Sequence, residues 1–259
     1  MKHYLFLILC IGFCLSGCQS PPSNTLQVAA TSSPHAEILE FVKPDLKAKG
    51  IDLTIVVMDD FNMQNRALAD GEVDANFFQH LPFLEAQKKD FHYRLEPLVS
   101  VHIEPMGLYS KKIKSLDQLK ERATIAIPSD PSNQTRALLL LEQKGVIQLR
   151  QQINPSLLDV TANPKHLEFV EIDSPLLTRT LEDVDAAAIS TNFALQGGLS
   201  PTKEAIAMED THSQFANLIV IREGESQRPD LQALKQSLTT EKVHQWIEIH
   251  YPNAVIPAF

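Results

Sequence analysis

The segment VDANFF at residues 73–78 returns in part as VDAAAI at residues 184–189. Both copies begin with Val-Asp-Ala and continue into a short apolar run, which is typical of a buried strand. The elements predicted before each copy follow one order: a strand, a loop with Ser and Pro, a helix, a second strand and a second helix. The tripeptide alone carries little weight, but the matching order of elements favours an internal duplication.

The first half opens with a strand pattern at residues 26–30 and continues into Ser33 and Pro34. A serine side chain can accept the free N–H groups of a first helical turn, so Ser33 is the expected helix cap. Proline fits the first helical position because its missing N–H is not needed there. A second strand pattern at 53–57 and a short helix pattern at 64–69 lead to the Val-Asp-Ala strand.

The second half repeats this plan with stronger signals. Residues 123–127 predict a strand, and Asp130 and Pro131 predict the cap and the first residue of a helix. That helix is expected to run over residues 134–144 and to end at Gly145. A further strand and helix pattern then leads to the second Val-Asp-Ala strand.

Strands that alternate with helices predict parallel α/β sheets, and two such units predict two lobes that face each other across a cleft. Ligands of open α/β sheets lie at the carboxyl ends of the strands. A helix N-terminus directed into the cleft offers free N–H groups and partial positive charge, which suit a carboxylate. We therefore expect a binding cleft between the lobes.

Two segments could join the lobes, an extended stretch at 102–109 and a late strand at 217–222. The apolar pattern after the late strand predicts helices that return to the first lobe. The predicted organisation is a signal segment (1–17), a tether (18–25), the first part of lobe 1 (26–109), lobe 2 (110–216), and a hinge strand with a C-terminal return to lobe 1 (217–259).

The N-terminus predicts export and lipid attachment. Lys2 precedes an apolar run of about a dozen residues, 4–15, which is the length of a signal-peptide core and too short to span a bilayer. The run ends in Leu-Ser-Gly-Cys, which resembles the bacterial lipobox, whose cysteine receives the lipid. By that resemblance the mature chain starts at an acylated Cys18, anchored to a bacterial membrane and facing the periplasm or the exterior.

Composition excludes several classes of partner. The formal net charge is −9 and no basic block stands out, so nucleic acid is not an expected partner. The three cysteines are Cys10, Cys14 and Cys18, so the folded body has no disulfide, thiolate nucleophile or cysteine metal site. We find no HExxH, GxSxG, phosphate-loop or dinucleotide motif, and expect neither an enzyme nor a cofactor.

Five motifs spread over the chain resemble one family, the methionine-binding lipoproteins of bacterial ABC importers (the NlpA family). These motifs are Pro34–Leu39, Asp74–His80, Glu104–Lys112, Ile127–Asn133 with Arg136–Leu141, and Asn217–Val220. The resemblance implies a type 2-like periplasmic-binding-protein fold that closes around one L-methionine. It also implies two partners, a membrane permease and an ATPase.

The resemblance also implies site residues. Arg136, which shares a helix face with Asn133 three positions earlier, matches an arginine that grips the ligand's α-carboxylate. Phe61, Phe78 and His80 match positions that line the side-chain pocket, where a thioether would pack against aromatic edges. A further match, Asn217, corresponds to an asparagine that binds the ligand's polar head from the hinge.

One position departs from the family. Relatives usually have a ligand-binding asparagine where this chain has Ser190. Asn192, two residues later, would lie on the same strand face and could replace it. Alternatively, Ser190 makes a shorter contact and the pocket takes a related ligand, such as a D-isomer or a short peptide.

Two other functions remain as alternatives. His35, His80 and His102 could converge on a metal ion, as in a metal-binding solute protein, although no His-x-His motif or His-rich loop is present and no metal is expected. A surface lipoprotein acting as an adhesin or antigen is the alternative from a different class.

Overall fold

The computed structural model describes residues 24–210 and 215–259. The predicted signal segment (1–17) and the predicted anchor Cys18 lie outside these residues, as does most of the predicted tether (18–25). Among the helices of the described ranges, none combines the length and the apolar character needed to cross a membrane.

The described residues form thirteen strands and eight α-helices. The strands are β1 (Thr25–Ala30), β2 (Asp52–Val57), β3 (Ala75–His80), β4 (Leu95–Ile103), β5 (Gly107–Tyr109), β6 (Thr124–Pro128), β7 (Gln148–Leu149), β8 (Val160–Ala162), β9 (Glu168–Ile172), β10 (Ala186–Ile189), β11 (Ala205–Met208), β12 (Ala216–Arg222) and β13 (Ile256–Pro257). The α-helices are α1 (Glu37–Ala48), α2 (Phe61–Ala69), α3 (Leu81–Phe91), α4 (Pro131–Gln143), α5 (Thr191–Gln196), α6 (Pro201–Glu204), α7 (Pro229–Leu238) and α8 (Glu241–His250). A π-helical turn lies at Ser32–Ala36, and 3₁₀ segments lie at Leu116–Gln118, Leu157–Asp159 and Ser174–Glu182.

Two separate sheets confirm the predicted two-lobed α/β fold. The first sheet has the strand order β13-β4-β12-β3-β1-β2, and the second has the order β11-β5-β10-β6-β9. The chain crosses between the sheets twice. The first crossing, residues 104–106, joins β4 to β5, and the second, which begins at residue 209, leads from β11 to β12.

The predicted duplication appears in the strand order. In each sheet the first strand of the unit lies between the second strand and the Val-Asp-Ala strand, all parallel: β2-β1-β3 in one sheet and β9-β6-β10 in the other. The repeated aspartate has the same role in both. Asp74 accepts the N–H of Gln27 at 2.9 Å, and Asp185 accepts that of Thr124 at 2.8 Å. The tripeptide therefore recurs because each aspartate anchors the first strand of its unit.

The lobe boundaries differ slightly from the expected ones. The predicted range of lobe 1, 26–109, extends too far, because Gly107–Tyr109 pairs with β10 and β11 of the second sheet. The first crossing therefore precedes residue 107. The strand Ala216–Arg222 pairs with β3 and β4 of the first sheet, and α7 and α8 pack against α1 there.

The strands that carry the site are buried on both faces. Every residue of β3 and of β10 is buried, as expected for parallel strands covered by helices on both sides. Val28, Phe77 and Leu231 belong to the core of lobe 1, and Ile125 and Leu138 belong to that of lobe 2. These cores hold the ends of the central strands in fixed positions at the cleft.

One predicted cap is present and the other is wrong. Asp130 accepts the N–H of Asn133 and Pro131 is the first residue of α4, as predicted. Ser33 does not cap a helix: its backbone is extended (φ −139°, ψ 138°) and α1 begins at Glu37. A turn therefore separates β1 from α1, and it carries His35 inward to a buried position.

Candidate functional site

A cavity lies between the two lobes, at the carboxyl ends of the central strands. The space between the atoms that line it, including the part open to solvent, is about 300 Å³. The residues that line it are Phe61, Phe78, Gln79, His80, Phe83, Glu104, Asn133, Arg136, Ser190, Asn192 and Asn217. All eight residues predicted from the sequence are in this set. The structure brings them together, and their role in binding stays a prediction.

Lobe 1 supplies its residues from element ends. Asp60 accepts the N–H of Asn62 and starts α2, which places Phe61 at the cavity. β3 carries Phe78 and ends at His80. Asn217 pairs with His80 in the antiparallel ladder between β12 and β3, so the two side chains start from neighbouring positions.

Lobe 2 supplies Asn133 and Arg136 from the first turns of α4, and their spacing places both on the face that meets the cavity. Ser190 follows the end of β10. The prediction that Asn192 continues this strand is wrong, because β10 ends at Ile189 and Asn192 lies in the first turn of α5. Asn192 still lines the cavity, because α5 begins at Thr191, next to the cavity.

The guanidinium of Arg136 is buried and held on one edge. Its Nε and Nη2 donate to the two carboxylate oxygens of Glu209, each at 2.7 Å. Nη2 also donates to the backbone oxygen of Glu104. Within residues 24–210 and 215–259, Nη1 has no hydrogen-bond partner, so it is the donor that remains for a ligand.

The carboxyl group of Glu104 is the other ionisable group at this end of the cavity. One oxygen lies 2.7 Å from Nε2 of His102 and 3.2 Å from Nε2 of His35. The second oxygen accepts the backbone N–H of Asn192 at 2.9 Å. Burial raises the pKa of Glu104, while His35 and Arg136 act to lower it.

Both histidines beside Glu104 are neutral donors. Burial is the largest cause that lowers the pKa of His35, to about 4, and it lowers that of His102 to about 3. Two acceptor oxygens face Nε2 of His35, so we assign the proton to this atom, and the hydroxyl of Thr31 then donates to Nδ1 at 2.6 Å. That N–H faces Glu104 and, at 3.3 Å, the side-chain oxygen of Asn217.

A hydrogen bond from His80 to Asn133 joins the lobes across the cavity. Nδ1 of His80 accepts the N–H of Phe83 at 3.3 Å, so its Nε2 carries the proton and donates to the side-chain oxygen of Asn133 at 3.1 Å. The amide nitrogen of Asn133 in turn donates to Asp130. Burial, followed by the charge of Arg136, lowers the pKa of His80 to about 3.

Two polar atoms at the cavity lack a partner. The hydroxyl of Ser190 and the amide nitrogen of Asn192 are buried and make no hydrogen bond to any described residue. An unsatisfied buried polar group costs about 1–3 kcal/mol. A polar ligand that reached these two atoms would recover that free energy.

The opposite end of the cavity is aromatic. The ring centroids of Phe61, Phe78 and Phe83 lie 5.3–5.7 Å from one another. Phe193 lies behind Phe61, with the centroids 4.9 Å apart. This end presents ring faces and edges, which suit an apolar side chain.

One group of side chains has the composition of a metal site. His35, His102 and Glu104 have ligand atoms within 4.8 Å of one another, so two of the three histidines considered from the sequence do converge. The third, His80, is bonded instead to Asn133. Nε2 of His102 already bonds to Glu104, and Nε2 of His35 bonds to the side-chain oxygen of Asn217 while it lies 3.2 Å from Glu104. These ring nitrogens are therefore engaged in hydrogen bonds within the protein.

The sequence did not identify three lining residues: Glu104, Gln79 and Phe83. A signal for Glu104 was present, because it is an acidic residue within the otherwise apolar stretch 102–109. Gln79 and Phe83 gave no separate signal. The side chain of Gln79 joins a buried amide network with Asn65 and Asn76.

Comparison with a family model gives a match over residues 26–259 to the family described as NlpA lipoprotein. A curated relative, the methionine-binding lipoprotein MetQ of Bacillus subtilis (strain 168), is 42% identical over 237 residues, which cover 89% of this chain and 86% of the relative.

Two solved structures have the same fold. An ABC-transporter periplasmic substrate-binding protein from Coxiella burnetii is 43% identical, with a TM-score of 0.87, and the match covers 90% of this chain and 100% of that one. A nutrient-binding protein from Burkholderia cenocepacia, solved bound to methionine, is 38% identical, with a TM-score of 0.88 and the same coverage of both chains.

Proposed function

Because this chain belongs to the NlpA lipoprotein family, we propose that it is the substrate-binding lipoprotein of an ABC importer and that its ligand is methionine or a close relative. The observation that carries this proposal is the cavity itself, which has charged groups at one end and three phenylalanines at the other. An α-amino acid with an apolar side chain has the same division. The protein holds this ligand and releases it unchanged.

The ligand's α-carboxylate binds the free edge of Arg136. Nη1 is the donor that Glu209 and the backbone oxygen of Glu104 leave unused. A charge-assisted hydrogen bond in a buried site is roughly twice as strong as a neutral one. The unpartnered atoms of Ser190 and Asn192 supply further polar contacts.

The ligand's ammonium group binds Glu104 and the side-chain oxygen of Asn217. Two neutral histidines orient the Glu104 carboxyl group, and one of them also reaches Asn217. Burial raises the pKa of Glu104, and a ligand cation would lower it and favour the charged form. The site therefore favours a zwitterion over an acid that lacks the amine.

The ligand's side chain packs among Phe61, Phe78 and Phe83. A thioether sulfur near the edge of an aromatic ring gains about 0.3–1.5 kcal/mol per contact. Leucine has no sulfur to make this contact, so methionine is the preferred apolar amino acid. A cavity with a charged end and an aromatic end also favours the binding role over the adhesin alternative, which requires no such cavity.

Calorimetric titration of the ligand-stripped protein tests this assignment. The ligands are L-methionine, D-methionine, L-leucine and a methionyl dipeptide, and mass spectrometry of the small molecules released on denaturation identifies what the protein carries from the cell. We expect methionine to be released and one methionine isomer to bind tightest. Binding of none of the four ligands, or release of a metal ion, would contradict the proposal.

Delivery requires a permease and an ATPase, which we propose as partners. The Coxiella relative is described as part of an ABC transporter, and this supports the proposal. We expect the ligand-loaded protein to stimulate ATP hydrolysis by its importer in proteoliposomes. Hydrolysis that is the same with and without the protein would contradict the partnership.

We also propose that a lipid on Cys18 anchors the protein in the cell envelope. The support is the Leu-Ser-Gly-Cys sequence, which lies outside the described residues, and the family's description as lipoproteins. Substituting Cys18→Ala should abolish labelling by a fatty-acid analogue in cells. Undiminished label on the variant would disprove anchoring at this residue.

A further inference from the structure

Glu209 touches Arg136 from the connection between the lobes. It lies at the start of the second crossing, just after β11, whereas Arg136 lies in α4. The carboxylate accepts from Nε and Nη2 of Arg136 at 2.7 Å each, which is a two-point contact along one edge of the guanidinium. The side chain of Arg136 is buried, at 3% exposure, and that of Glu209 is nearly so, at 9%.

Glu209 also ties the two crossings together. Its carboxylate accepts the backbone N–H of Met106 at 2.8 Å, and its own N–H donates to the backbone oxygen of Met106 at 2.9 Å. Met106 lies in the first crossing. Arg136 adds a further link to that crossing by donating to the backbone oxygen of Glu104. The guanidinium is therefore fixed relative to both connections between the lobes.

We propose that Glu209 is a positioning residue for ligand recognition: it holds the guanidinium of Arg136 so that Nη1 faces the ligand carboxylate. This inference rests on the proposed function, because it requires an α-carboxylate ligand. An arginine side chain loses much rotamer freedom when it is ordered, and Glu209 supplies that order before the ligand arrives. Glu209 also neutralises the buried charge of the Arg136 guanidinium.

The test is a thermodynamic cycle of affinities for L-methionine. Glu209→Gln keeps the shape of the side chain but removes its charge and replaces one of its two acceptor oxygens with an NH₂ group, so Arg136 loses the ion pair and one of its two hydrogen bonds to this residue. We expect binding to weaken roughly 10- to 100-fold. In the Arg136→Ala background the same substitution should cause no further loss beyond about twofold, because Glu209 acts only through Arg136.

A merely structural role gives a different pattern. If Glu209 only supported the fold, Glu209→Gln would weaken binding by the same factor in both backgrounds, and the inference would be wrong. The matched control is Glu168→Gln, which breaks a 2.7 Å pair with Arg122 on the surface of the same lobe. This control should bind L-methionine like the parent.

The remaining outcomes are also decisive. Glu209→Asp keeps the charge and shortens the side chain, so its affinity for L-methionine should lie between those of Glu209→Gln and the parent. If Glu209→Gln does not fold, Glu209→Asp takes its place in the cycle. If the parent itself does not bind methionine or any other tested amino acid, the proposed function fails. If the parent binds L-methionine and Glu209→Gln binds it equally well, only the positioning role of Glu209 fails.

Discussion

The two ends of the cavity are built in different ways. At the charged end, Arg136, Glu104, Asn133 and His80 are fixed by hydrogen bonds that come from both lobes and from the crossings between them. At the aromatic end, phenylalanine rings touch one another without directional bonds. The charged end can recognise the groups that all α-amino acids share, whereas the aromatic end selects among side chains by shape.

This contrast also sets the expected energies. Charged side chains at the first end are nearly inaccessible: Arg136 is 2% exposed and Glu104 is 3% exposed. A buried charge without a partner is costly, so changes there should produce large effects. Ring contacts at the second end contribute individually less than about 1.5 kcal/mol, so changes there should be smaller.

The largest expected effect comes from Arg136→Ala. Removing a charge-assisted contact in a closed cavity typically costs about 2–5 kcal/mol, or roughly thirty-fold to several-thousand-fold in affinity. The matched control is Arg66→Ala, another helical arginine with a carboxylate partner but with a side chain that is 77% exposed. Arg66→Ala should bind L-methionine with an affinity within about twofold of the parent's. Calorimetric titration with L-methionine checks both variants. If Arg136→Ala bound L-methionine as tightly as the parent, the charged end would not be the part of the cavity that holds the carboxylate.

Arg222 would be a poor control, although its position as the last residue of the hinge strand suggests a solvated side chain. Its guanidinium is bonded to Glu225 and to the backbone oxygens of Leu68 and Val73, and the side chain is only 24% exposed. Arg222→Ala should therefore reduce stability. A loss of binding in that variant would say nothing about the carboxylate contact.

The second prediction concerns pH and the histidines that orient Glu104. Unfolded histidines bind a proton near pH 6.5, whereas burial lowers the pKa of His35 to about 4 and that of His102 to about 3. Between those values the unfolded state binds more protons, so the free energy of unfolding falls as the pH drops below about 6.5. Each histidine contributes up to about 1.4 kcal/mol per pH unit in that window.

Glu104 acts in the opposite sense, because its raised pKa adds stability as the pH falls. His102→Gln removes the contribution of one histidine. Below pH 6.5 it should reduce the slope of the free energy of unfolding against pH by up to about 1.4 kcal/mol per pH unit. Urea unfolding of the parent and the variant at pH 7, 6 and 5 measures these slopes. Equal slopes would mean that His102 is already protonated in the folded protein, contrary to its buried, neutral assignment.

A smaller effect is expected at the aromatic end. Phe78→Leu removes ring contacts with Phe61 and Phe83 and with the ligand, so methionine should bind up to about tenfold more weakly. The preference for methionine over leucine should narrow as well. The matched control is Phe91→Leu, at the exposed end of α3, which should change neither quantity. Titration of both variants with methionine and with leucine measures this preference. An unchanged ratio of the two affinities in Phe78→Leu would mean that Phe78 is only a core residue.

The smallest effect is expected at the departure from the family, Ser190. Its hydroxyl and the amide nitrogen of Asn192 are both unpartnered, so either could hold the ligand's polar head. Ser190→Asn should change affinity by less than about 1 kcal/mol, while it shifts the preference between isomers towards L-methionine. If Asn192 already replaces the missing asparagine, Asn192→Ala will weaken binding more than Ser190→Ala. An unchanged isomer preference in Ser190→Asn would count against a role for this position.

Local signals in the sequence predicted much of the fold. The cap at Asp130 and the repeated Val-Asp-Ala identified both lobes, because helix caps and strand anchors depend on residues close in the chain. The family motifs gave eight lining residues, and all eight meet at the cavity. Asn192 was placed on the wrong element, since nothing in the apolar run showed that β10 ends at Ile189.

What the sequence could not give are pairs formed across the fold. Glu209 and Arg136 are 73 positions apart, and His35 and Asn217 are 182 apart. Such pairs depend on how the two crossings return to the same place, which no local pattern encodes. For the same reason, Glu104 looked like one charged residue in an apolar stretch until His35, His102 and Asn192 were seen around it.

The most direct test of the two-ended site is the crystal structure of the protein with methionine bound. We expect the ligand carboxylate within hydrogen-bond distance of Nη1 of Arg136, the ammonium group beside Glu104, and the thioether among Phe61, Phe78 and Phe83. A methionine bound in the reverse direction, or bound outside this cavity, would contradict the assignment of charged and aromatic ends.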